Sequence, residues 1–491
     1  MKLTALLKKI PYEVLAGDPE IEITDLAYDS RKVKEGGIFV CLPGAAADGH
    51  DFAGKAVEAG AAALVVEHEI PDFPGVTVVR VPSARKALAL LSSAWFGDPL
   101  DKLVSVGITG TKGKTTTAHM VYAMLREAGF AAGMIGTNGV YIGDEHWPTK
   151  NTTPESFELM EYFARMVEEG CTHMVMEVSS QGIMMDRVYG FHYDYGIFTN
   201  LSEDHIGPNE HSSFEEYLSC KSRLFSLCGT GLVNRDDPYC DAILEGHTCR
   251  VVTYALTNDA DYRADGLHAL SREGFLGLSY SVKGPKGEFP VEVNMPGSFN
   301  AYNSLAAETL AEEMGLPREA AAAAMMKIRV NGRMEIAYSD EDLSVIIDYA
   351  HNAVSMESLL TTLKEYHPKR LVVVFGCGGN RPKERRYAMG ESAGRMADLS
   401  IVTADNSRWE KVEDIIADII SHLEPTGGKY LTIPDRREAI RYSISHAEKG
   451  DLVAIIGKGH EDYQEIKGVR THFLDREEAD AALNEFGYRT K

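Results

Sequence analysis

No window of this chain reaches the ~18 consecutive apolar residues of a membrane span, and Met1 to Val14 carries lysines without a long apolar core or a small-residue cleavage site. Membrane insertion is therefore not expected. C-x-x-C pairs are missing: the seven cysteines lie scattered at 41, 171, 220, 228, 240, 249 and 377. An odd count at wide spacing suits reduced thiols in a cytoplasm, not a disulfide framework. Positive charge is in short supply, with 50 Lys and Arg against 73 Asp and Glu and a net charge of −23. A surface of that sign repels phosphate backbones and anionic lipids, so nucleic acid is not an expected partner. Internal repeats are absent, and the run Ala320 to Ala324 reads simply as helix. The rest, 44% hydrophobic and 25% charged, is ordinary globular composition. A length of 491 residues suggests about three domains at roughly 150 residues each.

The most informative stretch is Val104-Ser-Val-Gly-Ile-Thr-Gly-Thr-Lys-Gly-Lys-Thr-Thr-Thr117. A β-rich apolar run passes into a glycine loop ending Gly113-Lys114-Thr115, and a helix-compatible segment, Ala118 to Glu127, follows. Strand, glycine loop and helix cradle a phosphate chain, because the glycines let backbone N–H groups approach and the helix N-terminus adds a positive dipole end. Lys114 is placed for the β- and γ-phosphates and the Thr115 hydroxyl for Mg²⁺. The spacing is the shorter Gly-Thr-x-Gly-Lys-Thr form, from Gly110 through Thr111, Lys112, Gly113 and Lys114 to Thr115, with Thr116 directly after it. A nucleoside triphosphate is the expected ligand.

Residues 1–98 read as a first unit, with short strands at Ala62 to Val66 and Val79 to Val81 and a turn–strand–turn from Gly36 to Gly44. Asp98-Pro-Leu-Asp101 looks like a linker. Residues 99–332 open with the phosphate loop and continue with strand-like runs at Met174 to Val178 and Tyr195 to Thr199, alternating with helical patterns. That alternation predicts a mostly parallel sheet covered on both faces. Tyr254 to Val293 differs, with alternation and glycine turns that predict antiparallel strands. Asn300 to Met314 and Arg318 to Ile328 predict helices. Residues 333–491 carry four buried-strand candidates, Val345 to Tyr349, Arg370 to Phe375, Leu399 to Thr403 and Asp451 to Ile456, and predict a second open α/β sheet.

In an open parallel sheet, ligands sit at the carboxyl ends of strands. Glu177 and His205 follow predicted strands and are placed to meet the phosphate loop. A carboxylate and an imidazole there suit Mg²⁺, although a strand-end Glu alone is more often an ion-pair partner. Lys221 sits in a helical pattern and, on position alone, reads as a solvated lysine. Asp348 ends a strand, where an acidic residue accepts from a ribose hydroxyl. Arg333 lies where the second unit joins the third, and a cation there suits transferring phosphate oxygens. Asp405-Asn-Ser-Arg408 and Gly457-Lys-Gly-His-Glu461 both follow strands. With Arg386 they supply arginines for carboxylates and an acid for an ammonium, a set that suits a zwitterionic amino acid. From spacing alone, ordinary polarity of βα loops is the favoured account of them.

Taken in order, these motifs resemble the Mur ligases of peptidoglycan synthesis. The resemblance rests on Gly110 to Thr116, Glu177-Val-Ser-Ser180, Asn200 to His205, Phe299-Asn300, Gly332 to Glu335, Asp348-Tyr-Ala-His351 and Gly457 to Glu461, and runs over essentially the whole chain. Tyr28-Asp-Ser-Arg31, Asn151-Thr-Thr153 and the two late motifs point to the branch that adds the third residue of the stem peptide. The resemblance implies an α/β protein of three domains: a small N-terminal α/β domain for a UDP end, a central P-loop ATPase and a C-terminal Rossmann-like domain for an amino acid. It implies ATP, and two Mg²⁺ ions held through Thr115, Glu177, His205 and a carbamylated Lys221. It places Asn300, Arg333 and Asp348 at the nucleotide. Tyr28, Ser30, Asn151, Thr152, Thr153, Ser179 and Arg187 fall at a UDP-N-acetylmuramoyl-dipeptide. Arg386, Asp405, Asn406, Arg408, Gly457 and Glu461 fall at a free diamino acid. A cytoplasmic monomer is expected.

The chain departs from the family pattern in four places. Lys112 stands where Asn is usual, Gln181 where His is common, and Ile206 to His211 lacks the usual Asp-Tyr-His. Ser407 replaces the proline of an Asp-Asn-Pro-Arg motif linked to meso-diaminopimelate, which leaves L-lysine open as the added amino acid. Outside this branch stand a folylpolyglutamate synthase-like ligase, a P-loop kinase and a silent nucleotide-binding protein. The first leaves Tyr28 to Arg31 unexplained, and intact Lys114, Glu177, His205 and Lys221 argue against the last.

Overall fold

The computed structural model describes residues 1–44, 47–203, 206–207, 210–272 and 274–489. His205, an expected metal ligand, lies outside the described residues. The described chain divides into two compact units, Met1–Thr253 and Tyr254–Lys491. Both are α/β.

The first unit holds two sheets. In the smaller, the strands run Glu13–Ala16, Thr77–Arg80, Ala63–Val66, Ile38–Val40 and Leu26–Ala27 across the sheet, parallel except for the first. Their Ile, Val and Leu side chains pack with the helix Ala84–Trp95 and with Leu3 and Leu6 into one core. Ser83 caps that helix by accepting the Lys86 N–H. The expected linker is a packed turn instead: Pro99–Lys102 forms a 3₁₀ turn whose Pro99 and Leu100 are buried. Its apolar pair has a core to enter, so the segment is not left in water.

The larger sheet of this unit places Val104–Thr109 between Tyr193–Phe198 and His173–Glu177, all parallel, with Cys228–Asn234 and Ala132–Gly136 outside them. Two antiparallel strands, Gly139–Ile142 and Glu145–Trp147, finish the edge. Val104–Thr109 and His173–Glu177 are nearly continuous apolar runs because both faces are covered. The loops after these strands thus meet at one place, the carboxyl end of the sheet.

The second unit opens with the expected antiparallel strands, Tyr262–Arg272, Phe275–Gly284 and Gly287–Val293. The helices Ser298–Met314 and Arg318–Lys327 follow. A six-stranded sheet in this unit has the order Glu335–Ser339, Leu343–Asp348, Asp451–Ile456, Arg370–Phe375, Leu399–Val402, Tyr430–Thr432, and only the first strand is antiparallel. The four central strands are those the sequence predicts. The edge strands Glu335–Ser339 and Tyr430–Thr432 and the hairpin Tyr463–Ile466/Val469–His472 are additional.

Beneath this sheet's carboxyl end lies a fully buried ion pair. Arg436 donates from Nε and Nη2 to the two carboxylate oxygens of Asp475, each at 2.7 Å, and its remaining bonds go to the carbonyls of Ala404 (3.2 Å) and Ile456 (3.0 Å). One guanidinium thus ties together the ends of two strands that lead into candidate site loops. Removing one partner of a buried pair leaves an uncompensated charge, so Asp475→Ala is expected to lower the unfolding free energy by about 3–5 kcal/mol. Denaturant unfolding of variant and wild type measures this, and a loss below ~1 kcal/mol, the scale of an exposed pair, would contradict it.

Candidate active site

The phosphate loop follows Val104–Thr109 and ends at the first residue of helix Lys114–Glu127. Gly110 has φ +150° and a Cβ there would stand 1.9 Å from Thr199 Oγ1, so only glycine lets the loop pass this close to the neighbouring strand end. Gly113, at φ +87°, makes the left-handed turn into the helix. Lys114 folds back over the loop, its Nζ donating to the carbonyls of Gly110 (2.8 Å) and Thr111 (3.0 Å). Thr115 and Thr116 are buried on the first turn.

Asn200 clamps the loop. Its amide takes the Lys112 N–H at 3.0 Å and returns a bond to the Lys112 carbonyl at 3.0 Å, and Thr199 Oγ1 donates to the same carbonyl at 2.7 Å. Lys112 enters this network through its backbone while its side chain is exposed. That explains why lysine is accommodated where Asn is usual. Thr111 Oγ1 meets Tyr217 OH at 3.0 Å.

Glu177 is buried beside the loop and both its oxygens are engaged. Oε2 accepts from Thr115 Oγ1 at 3.0 Å and Thr137 Oγ1 at 3.3 Å, and Oε1 accepts the Thr137 N–H at 2.8 Å. A Cβ at Gly136 would lie 2.3 Å from Oε1, so glycine is required for the carboxylate to fit. From Glu177 the network runs to the expected dipeptide residues. Thr137 Oγ1 meets Thr152 Oγ1 at 2.9 Å, and Thr153 Oγ1 donates to the Glu177 carbonyl at 2.9 Å and accepts the Ser179 N–H at 2.9 Å. Ser179 caps the helix Ser180–Met184. Arg187 donates to the Thr153 carbonyl at 3.0 Å and to Glu155 at 2.7 Å. Asn151 adjoins this group on an exposed turn.

Lys221 is not solvated. It is 1% exposed, its Nζ donates to the Gly110 carbonyl at 2.8 Å, and it lies 4.6 Å from the centre of the Tyr217 ring. Helix Phe214–Ser222 turns this face inward onto the phosphate loop. In the smaller sheet's region of the same unit, a cavity of about 490 Å³ is lined by Tyr28, Ser30, Arg31, Phe39, Phe52 and Lys55 among others. Tyr28 OH donates to Glu158 at 2.5 Å. Burial, then that carboxylate, raise its phenol far above the ordinary range.

In the second unit, Asp348 ends its strand and accepts the N–H groups of Met334 (2.8 Å) and Ala350 (2.8 Å). Burial pushes its carboxyl up, and the Arg333 guanidinium opposes this. Arg333 lies 4.9 Å from the centre of the Tyr349 ring, and its buried Nε has no hydrogen-bond partner among the described residues. Asn300 is buried on the first turn of Ser298–Met314, holding the Pro296 carbonyl at 2.6 Å and accepting from Asn303 at 2.9 Å.

Close contacts at glycines assemble the two late motifs. A Cβ at Gly332 would fall 2.1 Å from the His460 N, one at Gly379 1.9 Å from the Ser407 O, and one at Gly457 2.9 Å from Asp405 Oδ2. Asn406 Nδ2 donates to Glu461 at 2.8 Å, and Tyr349 OH reaches the other Glu461 oxygen at 3.5 Å. Arg408, in the left-handed region at φ +51°, donates from Nη1 to the Gly379 carbonyl at 2.7 Å. Arg386, expected at the incoming amino acid, is buried, with Nη1 on Asp418 (2.8 Å) and Nη2 on Glu410 (2.7 Å). Its guanidinium holds the surrounding loop, and only its Nε finds no partner among the described residues. The sequence reading missed Gly136, Thr137, Tyr217 and Gly379, and it quoted Asn200, Tyr349 and Lys458 within motifs without giving them roles of their own; all are partners made by folding.

A phosphate loop closed by a buried carboxylate, on an α/β scaffold, defines a nucleotide-dependent enzyme. Residues 22–96 match the Mur ligase family catalytic domain, 108–311 the Mur ligase middle domain and 332–459 the Mur ligase glutamate ligase domain. The chain is 39% identical over 484 residues to the UDP-N-acetylmuramoyl-L-alanyl-D-glutamate–2,6-diaminopimelate ligase of Clostridium perfringens, covering 97% of this chain and 98% of that one. A solved structure of a ligase of the same name superposes with a TM-score of 0.76 at 30% identity, over 99% of each chain. The MurF ligase from Thermotoga maritima in complex with ADP shares the fold, with a TM-score of 0.61 at 17% identity over 95% of this chain and 98% of that one. The chain belongs to the Mur ligase family, whose members are ATP-dependent ligases.

Lys114 sets an ammonium on the phosphate loop, so Lys114→Ala is expected to cut ATP turnover by more than about 100-fold, the scale for losing one key electrostatic donor. The fold should survive, since the side chain's bonds are to loop carbonyls. Steady-state ADP release with circular dichroism measures both, and near-normal turnover would refute the role.

Proposed function

We propose that this protein joins UDP-N-acetylmuramoyl-L-Ala-D-Glu to meso-2,6-diaminopimelate, with cleavage of ATP to ADP and phosphate, as a cytoplasmic monomer. The observation that carries the reading is Glu177, whose two oxygens touch the phosphate loop through Thr115 and the Thr152–Ser179 group through Thr137. A carboxylate acceptor bound at Thr152, Thr153, Ser179 and Arg187 lies next to a bound γ-phosphate. Three domains, 1–98, 99–332 and 333–491, divide the work, in keeping with the three family matches. The cavity at Tyr28, Ser30 and Arg31 takes the uridine end, with Phe39 and Phe52 for the base and Lys55 for phosphate.

The D-Glu carboxylate attacks the γ-phosphate, giving an acyl phosphate and ADP. The amine of the diamino acid, having lost its proton, then attacks the acyl carbon, and the tetrahedral intermediate collapses with release of phosphate. Lys114 stabilises charge on the transferring oxygens, and Arg333, whose buried Nε lacks a partner among the described residues, is suited to the same oxygens. Asp348 and Asn300 hold the nucleoside. Thr115 and Glu177 form an all-oxygen donor pair suited to a hard cation, and with His205 they are the residues for Mg²⁺. Two Mg²⁺ ions would offset repulsion between carboxylate and triphosphate. Lys221, buried on the loop, would serve the second ion as a carbamate, formed when its neutral amine adds to CO₂ and releases a proton. An unmodified ammonium there opposes a cation.

ADP release with this dipeptide nucleotide and a panel of diamino acids tests the reading. Release that depends on the amine distinguishes a ligase from a kinase, and no turnover with any dipeptide nucleotide defeats it. Two variants refine it. Lys221→Ala is expected to be inactive and partly rescued by short carboxylates that replace the missing anion; full activity without additive rules the carbamate out. Arg408 is a bidentate partner for the distal carboxylate of diaminopimelate, which L-lysine lacks. The loss of that contact is worth ~1.5–3 kcal/mol, or roughly 10- to 150-fold in discrimination. Arg408→Ala should therefore lose most of the wild-type preference for diaminopimelate in kcat/KM. A wild type preferring lysine, or a variant with its preference intact, overturns the arginine argument.

A further inference from the structure

The second unit contains a buried lysine that the mechanism does not use. Lys458 is 0% exposed. Its Nζ lies 3.4 Å from Asn406 Oδ1 and 3.4 Å from Glu461 Oε2, and donates to the Tyr463 carbonyl. Asn406 closes the network by donating to Glu461 at 2.8 Å and accepting the Glu465 N–H at 2.9 Å. The ammonium is thus the hub of three separate segments: the loop after Leu399–Val402, the turn after Asp451–Ile456 and the first strand of the hairpin, Tyr463–Ile466. A buried ammonium is unfavourable unless paired and hydrogen-bonded, so its presence here fixes where Asn406 and Glu461 must stand.

We infer that Lys458 is a positioning residue for amino-acid recognition: its buried ammonium presets Asn406 and Glu461 to receive the ammonium of the incoming amino acid, without touching that substrate. This rests on the reading of the Asp405–Arg408 and Gly457–Glu461 loops as the amino-acid pocket. Glu461 faces Lys458 on its own turn, Asp405 and Asn406 on the neighbouring loop, Tyr349 after Leu343–Asp348 and Tyr463 on the hairpin, with Arg436 acting from the helix Arg436–Ser445. Burial pushes the Glu461 carboxyl up and Asp405 adds to this, while Lys458 pulls it down. Glu461 must be ionised to accept an ammonium. Without the Lys458 charge, the pH below which it becomes protonated rises.

The test measures KM for meso-diaminopimelate, ATP and the dipeptide nucleotide across the pH range of activity. Lys458→Met is expected to raise KM for the amino acid about tenfold or more, the effect of losing a charge-assisted contact, and to leave the other two KM values unchanged. It should also move the acid limb of the amino-acid KM to higher pH, which a merely structural role would not do. Lys458→Gln keeps a donor but no charge, so it should show the same pH shift with a smaller rise in KM. An acid limb unmoved in both folded variants overturns the inference, as does failure of both to fold, which would make Lys458 a stability residue. Glu461→Gln separates the two levels. If it leaves the amino-acid KM unchanged, the pocket reading fails; if it raises KM while the Lys458 variants do not, only the role of Lys458 fails.

Discussion

The first unit is organised around the placement of one ionisable side chain. Glu177 sits in the protein interior at the end of a central strand, where a carboxylate is tolerated only if its oxygens are satisfied. Thr115, Thr137 and the glycine at 136 satisfy it and make room for it. The two threonines stand on different segments, so solvating the carboxylate from within the protein also fixes the helix start, the strand end and the Thr152–Ser179 region relative to one another. The nucleotide loop is thereby pre-shaped by interactions that do not depend on its own flexibility.

The second unit solves the same problem by backbone proximity. Gly332 abuts the backbone of His460 and Gly379 that of Ser407, at distances no other residue permits. Side chains from several loops can then converge because their backbones nearly touch. The Arg436–Asp475 pair beneath them adds rigidity by anchoring two strand-end carbonyls. The unit therefore presents polar groups on a stiff floor, which suits selection between ligands that differ by one charged group.

Much of this is legible in the sequence, for definable reasons. The phosphate loop can be read because Gly110, Gly113 and Lys114 follow an apolar run, a local pattern with a local cause. The four central strands of the second unit read clearly because strands covered on both faces are unbroken Val and Ile. The hairpin Tyr463–His472 does not, because its residues are polar and largely exposed on both faces, leaving no alternation to detect. Position alone misplaces Lys221, because a helix of mixed polarity does not reveal which face turns inward. The commitment of Arg386 to Glu410 and Asp418, 24 and 32 residues away, is tertiary and has no signature in spacing.

Beside Arg408 stands Trp409, 71% exposed, with the edge of its indole 3.1 Å from where a Cβ on Gly468 would be. The chain has three tryptophans, at 95, 147 and 409, so this is the single indole of the second unit. It rests on the hairpin turn and follows directly the arginine at φ +51°. Its emission therefore reports on one loop alone, an intrinsic optical probe built into the protein beside Arg408. With Trp95 and Trp147 replaced by phenylalanine, a rearrangement of that loop becomes visible as a change in fluorescence, with no label attached.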